Sequence, residues 1–142
     1  MTRWLLPLAL PMGLALTGGA PLVAQSSLPE AAERARAAWL AHNPEALVGQ
    51  SGSLVLQIPG ADPSSPLERP QAAELLRRHW RSAVERWLTV GAVREVEPGE
   101  GYVELERRYV VSGTSDERRE TVFLGFRKAG GRWLLTELRS GP

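Results

Sequence analysis

Cysteine is absent from all 142 residues of this chain. Disulfides, thiolate metal sites and lipid attachment through an N-terminal cysteine are therefore excluded. Histidine occurs only at His42 and His79, far apart and without a paired carboxylate motif, so the pattern predicts no transition-metal site. Lysine is almost missing. Of the 17 basic residues only Lys128 is lysine, which reads as the codon bias of a GC-rich genome before it reads as a phosphate-binding strategy. Aspartate is scarce too: Asp62 and Asp116 both fall in expected loops, where neither obviously looks into a pocket as a general base must.

The one long apolar run lies at the amino terminus. Met1-Thr2-Arg3 carries the terminal amine and one positive charge, Trp4 to Leu16 is almost purely apolar, and Thr17 to Ala24 turns small and ends in Ala. This is the layout of a secretory signal peptide. A membrane anchor is the weaker alternative, because the run is shorter than the roughly 20 residues needed to span and contains Pro7 and Pro11. Cleavage after Ala24 is preferred to cleavage after Ala20, which would leave Pro21 beside the cut. Removing residues 1–24 from 142 leaves 118, enough for a single domain over 25–142 with a core that needs no covalent staple. Arg3 leaves with the leader, so 17 basic residues against 16 acidic become 16 against 16. A neutral domain offers no electrostatic reason to expect nucleic acid or an anionic membrane as partner. The expected address is the bacterial periplasm or exterior, with no membrane span after cleavage.

Behind the leader, Ser27-Leu28-Pro29-Glu30 fits a capping box, and Leu28, Ala32, Ala35 and Trp39 recur at helical spacing. A first helix is expected over about 28–41, and Asn43-Pro44 opens a short one through Val48. Leu54, Leu56 and Ile58 alternate with Ser53, Val55 and Gln57 as in a half-buried strand over 53–59, and a loop with Pro63 and Pro66 among Ala, Asp and Ser residues follows over 60–68. Pro70 begins a third helix whose buried stripe is Ala73, Leu76, Trp80 and Ala83. Val84 and Trp87 prolong that stripe, and the change to strand is expected near Val84.

Four strands then follow over about 86–96, 101–112, 118–128 and 132–140, separated by turn residues at 97–100, 113–116 and 130–131. Helices first and strands last predict an α+β domain, with a curved antiparallel sheet (one short strand plus a four-strand meander) wrapped around the N-terminal helices. A two-residue Gly130-Gly131 hairpin sets Phe126 opposite Leu135 and Leu124 opposite Glu137. A four-residue turn at 113–116 sets Leu105 opposite Leu124 and Arg107 opposite Val122. That register gathers Val103, Leu105, Tyr109, Val111, Val122, Leu124, Phe126, Trp133 and Leu135 on one face.

The order helix, short helix, strand, helix, four-strand meander resembles the nuclear transport factor 2-like superfamily, cone-shaped or cystatin-like domains with a bent sheet around a long helix. The closer resemblance is to a branch of exported bacterial domains of unknown function. It rests on Leu54-Val55-Leu56-Gln57-Ile58-Pro59-Gly60, on Gln71-Ala72-Ala73-Glu74-Leu75-Leu76, and on the closing Gly130-Gly131-Arg132-Trp133-Leu134-Leu135-Thr136-Glu137-Leu138-Arg139. These motifs specify a fold. The superfamily spans isomerases, dehydratases, ligand-binding and interaction domains, so the resemblance leaves function open.

No catalytic signature stands out. Serines lack an elbow motif, Gly49-Gln50-Ser51-Gly52 precedes a strand rather than a phosphate-binding helix, and no metal or organic cofactor is expected. One constellation is less bland. On the apolar face Arg107 lies with Tyr109, while Glu137 and Arg139 share that face two strands over. A buried guanidinium needs an acidic partner, water or a ligand. The first reading is an Arg107–Glu137 ion pair closing the wide end of the cone. The second is a polar-ligand anchor beneath a rim of Trp80, Tyr109 and Trp133, with His79 beside it. Val110, Phe123, Leu134 and Leu138 would lie on the opposite face, where an apolar patch suggests a homodimer.

Three function classes follow. A non-catalytic exported domain binding a small ligand or an envelope protein leads, a structural or assembly domain dimerising through its sheet is second, and a cofactor-free lyase or isomerase using Glu137 or His79 is third. A filled cone would favour the structural role, an open one binding or catalysis.

Overall fold

The computed structural model describes residues 27–59 and 62–141. The expected leader over 1–24 and the loop residues Gly60 and Ala61 lie outside the described residues. The chain runs α1 (Leu28–Leu40), α2 (Pro44–Val48), β1 (Ser51–Gln57), α3 (Arg69–Trp80), β2 (Ala83–Glu97), β3 (Glu100–Val111), β4 (Glu117–Ala129) and β5 (Arg132–Gly141).

Local chemistry sets the helix ends. Ser27 Oγ accepts the Glu30 amide at 3.2 Å and starts α1. His42, at φ 49°, breaks it in the left-handed region, and the Asn43 amide closes back onto the Ala38 carbonyl at 2.9 Å. Asn43 Oδ1 then caps α2 on the Ala46 amide at 3.1 Å. Glu68 and Gln71 form a reciprocal capping box at the start of α3. α3 stops at Trp80 and β2 begins at Ala83, so Val84 and Trp87 belong to a strand, and Trp87 is 43% exposed.

The five strands lie in the order β1-β5-β4-β3-β2. The meander is antiparallel as expected, but β1 pairs parallel with β5, so the sheet is mixed rather than wholly antiparallel. Consecutive strands joined by tight hairpins must be antiparallel; β1 is separated from β5 by the rest of the chain, and that constraint does not reach it. Three register irregularities in β2 bend it along its length.

The helices cover one face, packing Ala32, Ala35 and Trp39 of α1 and Ala73, Leu76 and Trp80 of α3 into a single core with Val103, Leu105, Val122, Leu124 and Leu135. Gly101 is where the helix layer meets the sheet most closely. A Cβ there would stand 2.6 Å from Leu28 Cδ2 and 2.9 Å from the Arg94 carbonyl oxygen, so only glycine lets the first turn of α1 seat against β2 and β3.

Two registers differ from expectation. The turn after β3 places Leu105 opposite Val122 and Arg107 opposite Glu120, two residues from the expected pairing. An even shift keeps each side chain on its face and changes only its partner. The β4–β5 pair begins as expected, Phe126 opposite Leu135, but a bulge follows: Gly125 faces Glu137 and Leu124 faces Leu138. Thr136 is the extra residue, its Oγ1 donating to the Gly125 carbonyl at 3.2 Å. Beyond the bulge the alternation inverts. Leu138 turns into the core with no exposed surface, and Glu137 turns to the other face.

Candidate functional site

Among the described residues the most concentrated buried polar chemistry surrounds Arg107, which is 2% exposed on the helix-covered face of β3. Its Nε donates to Glu85 Oε2 at 2.9 Å, one terminal nitrogen donates to Glu85 Oε1 at 2.5 Å, and the other donates to Glu120 Oε2 at 2.5 Å. The guanidinium also stacks on Tyr109, 3.9 Å from the ring centroid, and stands 5.1 Å from that of Trp39. Each carboxylate is held from a second side. Trp39 Nε1 donates to Glu85 Oε1 at 3.3 Å, His42 Nε2 lies 3.0 Å from the same oxygen, and Ser140 Oγ donates to Glu120 Oε1 at 2.9 Å.

Strand positions explain the assembly. Glu120 stands directly across from Arg107, Glu85 is paired with Tyr109, and the bulge at Arg86 lets Leu88 take the place opposite Arg107. The left-handed backbone of His42 turns its ring onto Trp80, stacked at 5.4 Å, and Trp80 in turn packs against Trp39 at 5.0 Å. Burial drives the Glu85 carboxyl upward, but the hydrogen bonds and charge of Arg107, with those of His42, outweigh it and hold it below the ordinary range. Burial likewise pulls Arg107 down, and the two carboxylates more than reverse that. His79 is pulled below its ordinary value, first by burial, with Arg107 adding to it against Glu120 and Glu85. Its Nε2, and the Nε1 of Trp80, are buried without a hydrogen-bond partner among the described residues. Among the described residues no group of three or more His, Asp or Glu side chains is placed to hold a metal ion.

Of the residues singled out in the sequence, Arg107, Tyr109, His79 and Trp80 gather around Trp39 at this site. Trp80 is core, 2% exposed, rather than rim. Trp133 is buried near the far end of β5, with Lys128 Nζ 5.8 Å from its ring centroid. Glu137 is not the partner of Arg107. The bulge at Thr136 carries it to the opposite face, where it pairs with Arg139 at 3.0 Å. The true partners, Glu85 and Glu120, were missed. Glu120 continues the alternation of Val122, Leu124 and Phe126 and was legible as inward-facing; Glu85 lay hidden at the helix-to-strand change.

On the face away from the helices, Tyr102 stacks on Phe123 at 4.9 Å and Arg139 covers Phe123 at 4.5 Å. Val110 and Leu134 are half-buried on the same face, whereas Leu138 lies in the core and is removed from the candidate interface.

Comparison with family models and with curated proteins finds no match. Solved structures match closely in shape. A ketosteroid isomerase-like protein from Erwinia carotovora atroseptica superposes with a TM-score of 0.66 at 15% identity, covering 81% of this chain and 95% of its own. The fold is nuclear transport factor 2-like. A DUF4783 family protein from Bacteroides ovatus gives 0.63 at 11% identity, with 75% of this chain and 90% of its own covered. A protein of ketosteroid isomerase-like fold from Catenulispora acidiphila, solved in complex with trimethylamine, gives 0.64 at 15% identity, covering 82% and 87%. At these identities the nuclear transport factor 2-like likeness is one of fold.

Proposed function

We propose that this nuclear transport factor 2-like chain is a non-catalytic domain of the bacterial cell envelope that binds a small ligand or a partner protein through its outer surface. The observation that carries the reading is the engagement of Arg107. Its donors are taken by Glu85 and Glu120 and its faces by aromatic rings, so the space around it is filled by the chain's own charges. A general base has to reach a substrate proton. Glu85 and Glu120 are bound to Arg107 instead, and Glu137 is on the opposite face. The leader-like sequence over 1–24 supports export, and the bacterial origin of the structural relatives supports a bacterial host; among the described residues no helix is long and apolar enough to cross a membrane.

The test is in-cell cross-linking in the native host, comparing wild type with the apolar replacement Glu85→Leu, Arg107→Met, Glu120→Leu. Outer-surface binding predicts the same cross-linked species from both. Loss of that species from a triple variant that remains folded would place the ligand at the ion cluster and overturn the reading. Intact mass of the periplasmic fraction, expected to begin near Gln25, checks export; full-length protein confined to membranes would contradict it.

The stack of Tyr102, Phe123 and Arg139 favours a second reading, a symmetric homodimer in which these residues meet their own copies across a two-fold axis.

A further inference from the structure

We propose that the groove between α1, α2 and the start of β5 is a docking site for an acidic peptide segment of a partner protein; this deepens the outer-surface reading above and rests on it. The groove holds about 760 Å³. Arg34 enters from α1, and Arg132 with Trp133 from the first residues of β5. Arg34, Ala37, Ala38 and Ala41 recur at helical spacing, so one side of α1 forms a floor of small side chains beside the arginine.

Charge is what selects the occupant. Arg34 and Arg132 are both exposed, neither has an acidic partner among the described residues, and no Asp or Glu lines the groove. Of the nearby acids, Glu33 is engaged by Arg36 and Glu45 by Arg77. Elsewhere Arg36, Arg77, Arg78 and Arg107 each find a carboxylate within the chain. Here two guanidinium groups flank a shallow apolar floor with none, which is the arrangement that recognises carboxylates on another molecule.

Gln50 distinguishes a peptide from a free carboxylic acid. Its backbone carbonyl accepts the Leu135 amide at 2.8 Å and is thereby anchored to β5. Gln50 lines the groove, and its side-chain Oε1 is buried behind that lining without a donor among the described residues. A buried acceptor left unpaired is costly, and a peptide N–H is the donor that would satisfy it while flanking carboxylates reach the two arginines. The alanine floor permits a backbone to approach closely, with Trp133 bounding the groove at its inner end.

Fluorescence anisotropy of the purified protein with a labelled alanine–leucine peptide carrying two glutamates tests this. Binding should weaken about tenfold in Arg34→Glu and again in Arg132→Glu, fall with added salt, and fall when both glutamates become glutamines. Gln50→Leu should weaken the peptide and leave the competition by free glutarate unchanged. Equal binding of the glutamate and glutamine peptides, no binding at millimolar concentration, or glutarate binding as tightly as the peptide each overturns the proposal. The cross-linking above separates the two levels. A partner recovered at wild-type yield from the double charge reversal overturns the groove alone, whereas no partner from wild type overturns the partner-protein form of the reading beneath it.

Discussion

Toward its two ends, β5 meets arginines in opposite circumstances. Near its carboxyl end Ser140 supports a cluster in which Arg107 is buried between Glu85 and Glu120, over the rings of Tyr109 and Trp39. At its amino end Arg132 lines a groove with Arg34, and no carboxylate lines it. Both regions combine arginine, tryptophan and small polar groups. They differ in who provides the counter-charge. Where the chain provides it, the guanidinium becomes part of the core; where it does not, the guanidinium stays in water and is left for another molecule. Arginine content alone therefore says little about where a domain binds. The location of the acids decides.

The comparison breaks most visibly at Arg107. Arg107→Met leaves two buried carboxylates without their cation and should cost about 3 to 5 kcal/mol, whereas replacing all three members with apolar residues of similar volume should cost far less. Thermal denaturation of the single and triple variants measures both. Equal, small losses would mean that the cluster is solvated and that the two ends do not differ.

Acid should sharpen the difference next. His79 packs beside the cluster and its proton affinity is held below the ordinary 6.5 by burial, so below that pH the unfolded chain takes up a proton before the folded one does. Stability is then fully present above about pH 6.5 and declines as the pH falls through the window down to the folded value. Glu85, held below 4.5, adds a second decline at lower pH: its stabilisation is present above its ordinary value and is lost as it protonates in the folded state. Denaturant titrations of wild type and His79→Gln should differ in slope just under pH 6.5. Identical slopes would remove His79 from the account.

A smaller effect is expected on the face away from the helices. Phe123→Glu would repeat a charge across a two-fold axis and should convert a dimer to a monomer by light scattering; a wild type monomeric at high micromolar concentration excludes the dimer. The smallest effect is at the groove. Arg34→Glu and Arg132→Glu should change folding stability by no more than about 0.5 kcal/mol, as for surface substitutions without a structural partner. A larger loss by chemical denaturation would make those arginines structural, and the contrast with Arg107 would vanish.

Much of this was legible along the chain, and the failures share one cause. Capping at Ser27 and Asn43, the helix-opening Pro70, the turn glycines, and the alternation through Val103, Leu105, Val122, Leu124, Phe126 and Leu135 are properties of a few adjacent residues, and the elements formed where they pointed. The even slip at the turn after β3 kept Arg107 inward but exchanged its expected neighbour for Glu120. The bulge at Thr136 had no signal strong enough to be read locally, because Gly125 is only a permissive residue there: a Cβ on it would meet Glu137 Cβ at 3.2 Å.

Sequence alone determined the order of helices and strands, the α+β class and the inward face of β3, β4 and the start of β5 up to Leu135, since a period of two or of 3.6 is set by backbone geometry one residue at a time. Tertiary structure alone decided the parallel seat of β1 on β5, the inversion that buried Leu138 and turned out Glu137, and the choice of Glu85 and Glu120 for Arg107. Those outcomes depend on which strands meet and in which register, and register is selected by the summed packing of residues far apart in the chain.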